Sequence, residues 1–99
     1  MSQTDKTGAP TTVAAKDGRF TISVDGKEVG KAEFLTRDGR RVFTHTEVDN
    51  DYEGRGLGTI LIREALEQTR DAGIPIVAKC PMVANYISKH DEFKDAVES

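Results

Sequence analysis

With a single cysteine, no tryptophan and no long apolar run, this 99-residue chain is defined first by what it cannot do. A lone Cys80 closes no internal disulfide, so packing must hold the fold, and the thiol is free unless two chains pair through it. Beside Cys80 stand only His45 and His90, too few for a zinc-type ligand set, and no metal site is expected. No apolar stretch reaches the roughly 20 residues that span a bilayer, and the N-terminus lacks the basic-then-apolar order of a secretion signal. The expectation is a cytoplasmic protein with no membrane partner. Fourteen Lys and Arg against 17 Asp and Glu give a formal net charge of −3, so the basic surplus of a general nucleic-acid binder is missing. A local basic patch for a small anion is still compatible with that balance.

What is present is the mix of one soluble globular domain. Hydrophobic residues make up 36% and charged residues 31%, and a chain of this length closes one core. Residues 1–12 hold Ser, Thr, Gly, Pro, Asp and Lys with little to bury, and read as a disordered N-terminal tail. Residues 13–99 form the expected domain. Phe20, Ile22 and Val24 alternate with polar neighbours, as a strand with one face on a core requires. Asp25-Gly26 ends that strand. A second runs from about Val29 to Thr36 with Ala32 and Phe34 inward, and Asp38-Gly39 turns the chain into a third, Arg41 to Val48.

The period then changes. Leu57, Ile60, Leu61, Ile62, Ala65 and Leu66 fall on one helical stripe from Leu57 to Asp71, and Gly73 is placed to end that helix. Ile74 to Lys79 reads as a short buried strand, and Met82 to Lys89 as a second helix, with Pro81 near its first turn. The expected fold class is α/β (α+β): an antiparallel three-strand meander followed by helix, parallel strand, helix. A strand, helix, strand unit makes the third and fourth strands parallel.

The chemistry concentrates at Asp51-Tyr52-Glu53-Gly54-Arg55-Gly56-Leu57-Gly58-Thr59. Glycines at alternate positions between a strand and a helix let the backbone approach a ligand and aim several N–H groups at one point. The positive end of the helix dipole makes a phosphate or pyrophosphate the natural guest. A dinucleotide fingerprint is excluded, because Thr59 and Leu61 stand where its last glycine belongs. A nucleotide-hydrolase phosphate loop is excluded too, since no Gly-Lys-Ser/Thr closes the turn.

Glu53-Gly54-Arg55-Gly56-Leu57-Gly58 resembles the acetyl-CoA pyrophosphate motif of the GNAT superfamily of acyltransferases. The flanks strengthen the resemblance: His45-Thr46-Glu47-Val48, Cys80-Pro81, and Val83-Ala84-Asn85-Tyr86 leading to His90-Asp91-Glu92-Phe93 are similar to the minimal YjdJ-type GNAT proteins. The resemblance covers roughly Phe20 to Asp95 and implies a minimal GNAT fold, with acetyl-CoA as donor and an amine as acceptor. Two departures stand out. Glu53 occupies a position where the superfamily favours Gln or Arg, so Glu53 is expected to point away and Arg55 to compensate. Helices that shape the acceptor site of larger members have no counterpart in Asp25-Gly26-Lys27-Glu28.

The resemblance implies cofactor contacts at Val48, Glu53, Gly54, Arg55, Gly56, Leu57, Gly58 and Thr59, with Asn85 and Lys89 further along. Glu47, at a strand end, is either a base for the incoming amine or a solvated carboxylate. His45 shares its face and is either a second base or a structural histidine. Tyr86 corresponds to the tyrosine that protonates the departing thiolate. Cys80, expected at the end of the next strand, is either an acyl-carrying nucleophile or a small buried hydrophobe. The reading is an N-acetyltransferase working by direct attack on an unidentified amine acceptor, for which a protein or polyamine is the expected class. The alternative is a module that binds CoA thioesters with little turnover.

Overall fold

Strands form where the apolar alternation places them, but the sheet begins earlier than that pattern suggests. The protein is represented by a computed structural model that describes residues 3–4 and 8–97. Strands β1 (Gln3–Thr4), β2 (Pro10–Lys16), β3 (Arg19–Val24), β4 (Lys27–Arg37) and β5 (Arg40–Val48) lie side by side in chain order, each antiparallel to the next. Strand β6 (Ile76–Ala78) completes a six-stranded sheet and runs parallel to β5.

The antiparallel part therefore exceeds the expected three-strand meander by β1 and β2. Pro10 to Thr12, assigned by composition to the tail, open β2, and Thr11 is buried opposite Val24. Composition concealed this strand because Val13 is its one large inward apolar side chain and Thr11 is polar, so β2 shows no run of apolar alternation. Residues 1–2 and 5–7 of that tail lie outside the described residues. Both Asp-Gly pairs make the tight hairpin turns, with φ of 50° and 84° at Asp25-Gly26 and 53° and 75° at Asp38-Gly39.

Helix α1 (Leu57–Asp71) follows β5 after a 3-10 turn, Asn50–Tyr52, and buries Leu57, Ile60, Leu61, Ile62, Ala65 and Leu66. Beyond its last turn, the Gly73 N–H donates to Arg70 O at 2.9 Å and the Ile74 N–H to Thr69 O at 3.1 Å. That pair of bonds is a Schellman motif. It consumes Ile74 and shortens β6 to Ile76–Ala78, against the expected Ile74 to Lys79. Helix α2 (Pro81–Lys89) starts with Pro81 at its first position, and a second 3-10 segment, Asp91–Ala96, brings Phe93 inward.

One core joins these elements: Phe20, Ile22, Ala32 and Phe43 from the sheet meet Leu57, Leu61 and Leu66 of α1, Val83 and Tyr86 of α2, and Phe93. Each fully buried large side chain contributes about 1.5–3 kcal/mol through removal from water. Arg41 also faces inward. Its guanidinium lies 4.4 Å from the Phe34 ring centre and donates to Thr69 Oγ1 at 3.0 Å, tying β5 to α1. On the other face, His45 and Glu47 are exposed.

Gly30 sets the spacing where β3, β4 and β5 meet. A Cβ there would lie 2.9 Å from Ile22 Cγ2, 3.0 Å from the Glu47 carbonyl oxygen and 3.1 Å from Val48 Cγ2. Since the Glu47 backbone cannot move without distorting β5, Gly30→Ala should lower unfolding free energy by about 1–3 kcal/mol. Urea denaturation checks this, and an unchanged midpoint would contradict the tight packing.

Candidate functional site

The site begins where two strands part. Pairing of β5 with β6 covers Arg41, Val42 and Phe43 and then stops, although β5 continues to Val48. Two features coincide at that level. The Phe43 carbonyl accepts from both Lys79 N–H at 3.0 Å and Cys80 N–H at 2.9 Å, which ends β6. On the other side, Phe43 pairs with Phe34 and His45 with Glu33, leaving Thr44 as a bulge. A bulge bends its strand and shifts which residues point which way. Beyond it, Asp49 N–H donates to Val29 O at 2.7 Å, so by alternation Glu47 and His45 turn their backbone groups toward β4. Thr46 and Val48 turn theirs to the side that β6 has vacated.

The glycine-rich junction closes the far end of this opening. Gly54 and Gly56 have φ of 79° and 77°, a conformation that a side chain would strain. Gly56 is the N-cap of α1 and no side chain caps the helix, so the N–H groups of Leu57, Gly58 and Thr59 lack intrahelical acceptors. Those three residues line a cavity of about 710 Å³ together with Thr46, Glu47, Val48, Glu53, Gly54, Gly56 and Met82. The positive end of α1 thus opens into the cleft beside the free edge of β5. A smaller cavity of about 220 Å³ shares Gly58, Thr59 and Met82 with it and reaches Asn85, Tyr86 and Lys89.

Glu47 is exposed and held from two directions. His45 Nε2 lies 3.3 Å from Oε2, and Lys31 Nζ 3.3 Å from Oε1. The hydrogen bond from His45, then that from Lys31 with its charge, holds the carboxyl below its usual range. Tyr86 is buried, its ring stacked on His90 with centres 3.8 Å apart. Burial raises its phenol pKa, an effect that Arg63 opposes and Glu92 and Glu67 reinforce.

Cys80 departs from its expected place. It is the N-cap of α2 rather than the end of β6, because the chain turns at Lys79 and Cys80 onto the Phe43 carbonyl. The thiol is 3% exposed, lies 3.5 Å from Thr46 Oγ1 and does not line the main cavity. Burial pushes its pKa up, but hydrogen bonding with the Thr46 side chain and with the backbone of Val83, Met82 and Thr46 together outweighs that, leaving it below the ordinary value.

The cleft therefore gathers Glu47, Val48, Glu53, Gly54, Gly56, Leu57, Gly58 and Thr59, while Asn85, Tyr86 and Lys89 line the adjoining cavity. Arg55 stands outside both linings, with its guanidinium 4.9 Å from the Tyr52 ring centre. The sequence reading overlooked Thr46, Tyr52 and Met82, which also line it, and Lys31, the partner of Glu47. Thr46 was recoverable, since its parity with Val48 puts both on one side of β5. Met82 carried no signal, because its place beside Gly58 depends on how α2 packs.

The chain is thus an α/β domain in which a glycine-rich helix start opens beside a parted parallel strand pair. The chain belongs to the GCN5-related N-acetyltransferase family, whose sequence profile matches residues 19–96. No curated protein sequence matches it. Among solved structures, a GCN5-like protein from Staphylococcus aureus superposes with a TM-score of 0.67 at 19% identity, over 89% of this chain and 88% of that one. A ribosomal-protein-alanine N-acetyltransferase from Brucella melitensis gives 0.53 at 19% identity, covering 92% of this chain and 62% of that one. An acetyltransferase from Trypanosoma brucei gives 0.51 at 28% identity, over 74% and 61%. The chain thus spans about three fifths of these last two. The fold is that of acetyltransferases.

Gly58 separates folding from function. A Cβ there would meet Met82 Cε at 3.4 Å and Val48 Cγ2 at 4.0 Å, ordinary contacts inside the first turn of a helix. Gly58→Ala should leave stability unchanged or raise it by about 0.5–1 kcal/mol. Chemical denaturation measures this, and a clear loss would show that the glycine serves the fold.

Proposed function

We propose that the protein transfers an acetyl group from acetyl-CoA to an amine by direct attack within a ternary complex. The observation that carries this reading is the continuity of two features: uncapped N–H groups at the start of α1 and an unpaired backbone edge at Thr46 and Val48. A CoA thioester needs both. Its pyrophosphate suits the helix N-terminus, and its pantetheine amides suit an open strand edge that would otherwise attract another strand. No lysine or arginine lines the main cavity among the described residues, so binding would rest on backbone N–H groups.

In this reading Glu47 takes a proton from the acceptor ammonium, and the neutral amine attacks the thioester carbonyl. Tyr86, kept protonated by burial, supplies a proton to the departing thiolate. Asn85 and Lys89, in the adjoining cavity, are placed to meet the outer part of the cofactor. Direct attack is favoured over an acyl-cysteine because Cys80 is buried behind Thr46. The acceptor is an amine on a protein or polyamine in the cytoplasm. The structural neighbour named for ribosomal-protein alanine supports an amine acceptor as a class. A second reading, a CoA-thioester-binding module, draws support from Glu47 itself, since a carboxylate held by Lys31 and His45 is a weakened base.

Two variants separate binding from chemistry. Gly58→Val places a branched side chain against Met82 and the N–H groups of the turn, and should weaken acetyl-CoA binding at least tenfold in calorimetry. Gly56→Val is a poorer test, because φ of 77° would strain the fold as well. Glu47→Gln should keep acetyl-CoA affinity and lower the rate of CoA release with an amine by roughly 10²-fold or more. Acetyl-CoA binding with no CoA release by the wild type, across proteins and polyamines, would support the module instead. An acetyl group trapped on Cys80 without acceptor, and discharged by an amine, would overturn direct attack.

A further inference from the structure

The two faces of the sheet are unlike. Phe34 and Phe43 point to the face that packs on the helices, with ring centres 5.9 Å apart. Their neighbours in β4 and β5 point the other way, and strand register sorts them into rows. Lys31 stands opposite Glu47, Glu33 opposite His45, Leu35 opposite Val42 and Arg37 opposite Arg40. Val42 in turn pairs with Val77 of β6. Because the Thr44 bulge shifts the alternation by one residue, Arg40, Val42, His45 and Glu47 share this face.

That face changes character along its length. Glu33 and Glu47 lie at the cleft end, where Lys31 is tied to Glu47. In the middle, Leu35 is 57% exposed and Val42 and Val77 are half-buried, an aliphatic row open to solvent. At the far end Arg37, Arg40 and Lys79 surround Val42 and Val77 in a groove of about 170 Å³, and Asp38, in the hairpin turn, does not line it. Two arginines directly opposite each other repel, and a further cation beside them adds to that cost. A single exposed leucine means little, but an aliphatic floor rimmed by gathered like charges fits a partner of the opposite charge. The chain as a whole carries −3, so the cluster is no by-product of a basic surface.

We propose that this face docks an acidic segment of an acceptor protein and presents that protein's amine to Glu47. An aliphatic side chain of the segment lies on Leu35, Val42 and Val77, and its carboxylates meet Arg37, Arg40 and Lys79. This rests on the acetyltransfer reading and names its acceptor class. Seven residues separate Arg40 from Glu47, one of them taken up by the bulge. The amine and the carboxylates of an extended segment are therefore about 20 Å, or roughly six residues, apart. A polyamine, itself cationic, is repelled by the far end. Nucleic acid finds no aromatic side chain in the groove on which to stack a base. A second copy laid face to face would set the arginines against each other.

Two labelled peptides test this, both blocked at the N-terminus. Each carries one lysine, a leucine about four residues on and then three glutamates, or three glutamines in the second peptide. Binding is read by fluorescence anisotropy without acetyl-CoA, and transfer by kcat/KM for CoA release, in the wild type and in Arg37→Glu/Arg40→Glu/Lys79→Glu. The wild type should bind the glutamate peptide roughly tenfold more tightly and use it with a similarly higher kcat/KM, as a few exposed ion pairs supply, and added salt should erase the difference. The charge-reversed variant should lose that preference while keeping acetyl-CoA affinity and its rate on a single blocked lysine. Leu35→Asp should weaken both peptides, since both carry the leucine, and thermal melting verifies that each variant folds. Equal affinity for the two peptides in the wild type, or a preference that survives charge reversal, would overturn the docking face. So would tighter binding of a single-stranded oligonucleotide than of the glutamate peptide, or a dimer in sedimentation that Leu35→Asp dissolves. Tighter binding of the glutamate peptide without faster CoA release from it, while a blocked lysine is acetylated, would overturn its role in presenting the acceptor. CoA release with no amine at all, the peptide preference being intact, would overturn the acetyltransfer reading instead and leave the docking face standing.

Discussion

The arrangement around the Phe43 carbonyl is what the rest of the molecule depends on. By accepting from both Lys79 and Cys80, that oxygen ends β6 within one residue, and the Thr44 bulge turns β5 at the same level. Two parallel strands that would otherwise zip together are held apart for the remaining length of β5. An unpaired edge of this kind is ordinarily a hazard, because it invites another strand. Here it faces the start of α1 across a cleft rather than open solvent. The Thr46 and Cys80 side chains meet at 3.5 Å between the two strands just past the point of parting.

Electrostatics then follow from where backbone, rather than side chain, provides the charge. A chain with a net charge of −3 presents Glu47 and Glu53 along the cleft, so side chains alone would repel an anion. The first-turn N–H groups of α1 reverse that locally, over a range limited to the turn itself. Lys27 and Arg55 both stand on the Tyr52 ring, at 5.5 and 4.9 Å from its centre, keeping positive charge near the mouth. The acidic side chains favour a positive group on one side of the cleft, while the backbone favours an anion on the other.

Much of this could be read from residue order, and the exceptions have physical reasons. The Asp-Gly turns, the stripe from Leu57 to Asp71 and the parallel strand pair are local patterns, so sequence displays them. The glycine junction was equally visible, because positive φ and close approach leave few alternatives to glycine. Strand β2 was hidden since Val13 is its one large apolar residue, and the burial of Thr11 is decided by what packs over it. Cys80 was misplaced because its N–H and that of Lys79 both turn onto the Phe43 carbonyl, which ends β6 at Ala78 and makes Cys80 the N-cap of α2. Lys31 was missed for a different cause: its contact with Glu47 arises from cross-strand register, which no single segment announces. The family resemblance named most of the residues that line the cleft, whereas the Lys31 contact with Glu47 emerged only with the register of β4 on β5.

An amide NMR titration with acetyl-CoA probes the parted strands and the uncapped helix together. The largest shifts should fall on the N–H signals of Leu57, Gly58 and Thr59 and on those of Thr46 and Val48, with the Arg37 to Arg40 hairpin unmoved. CoA with its pantetheine arm removed should retain the first group of shifts and lose the second. Shifts confined to other surfaces, or none at millimolar acetyl-CoA, would contradict the cleft as a thioester site.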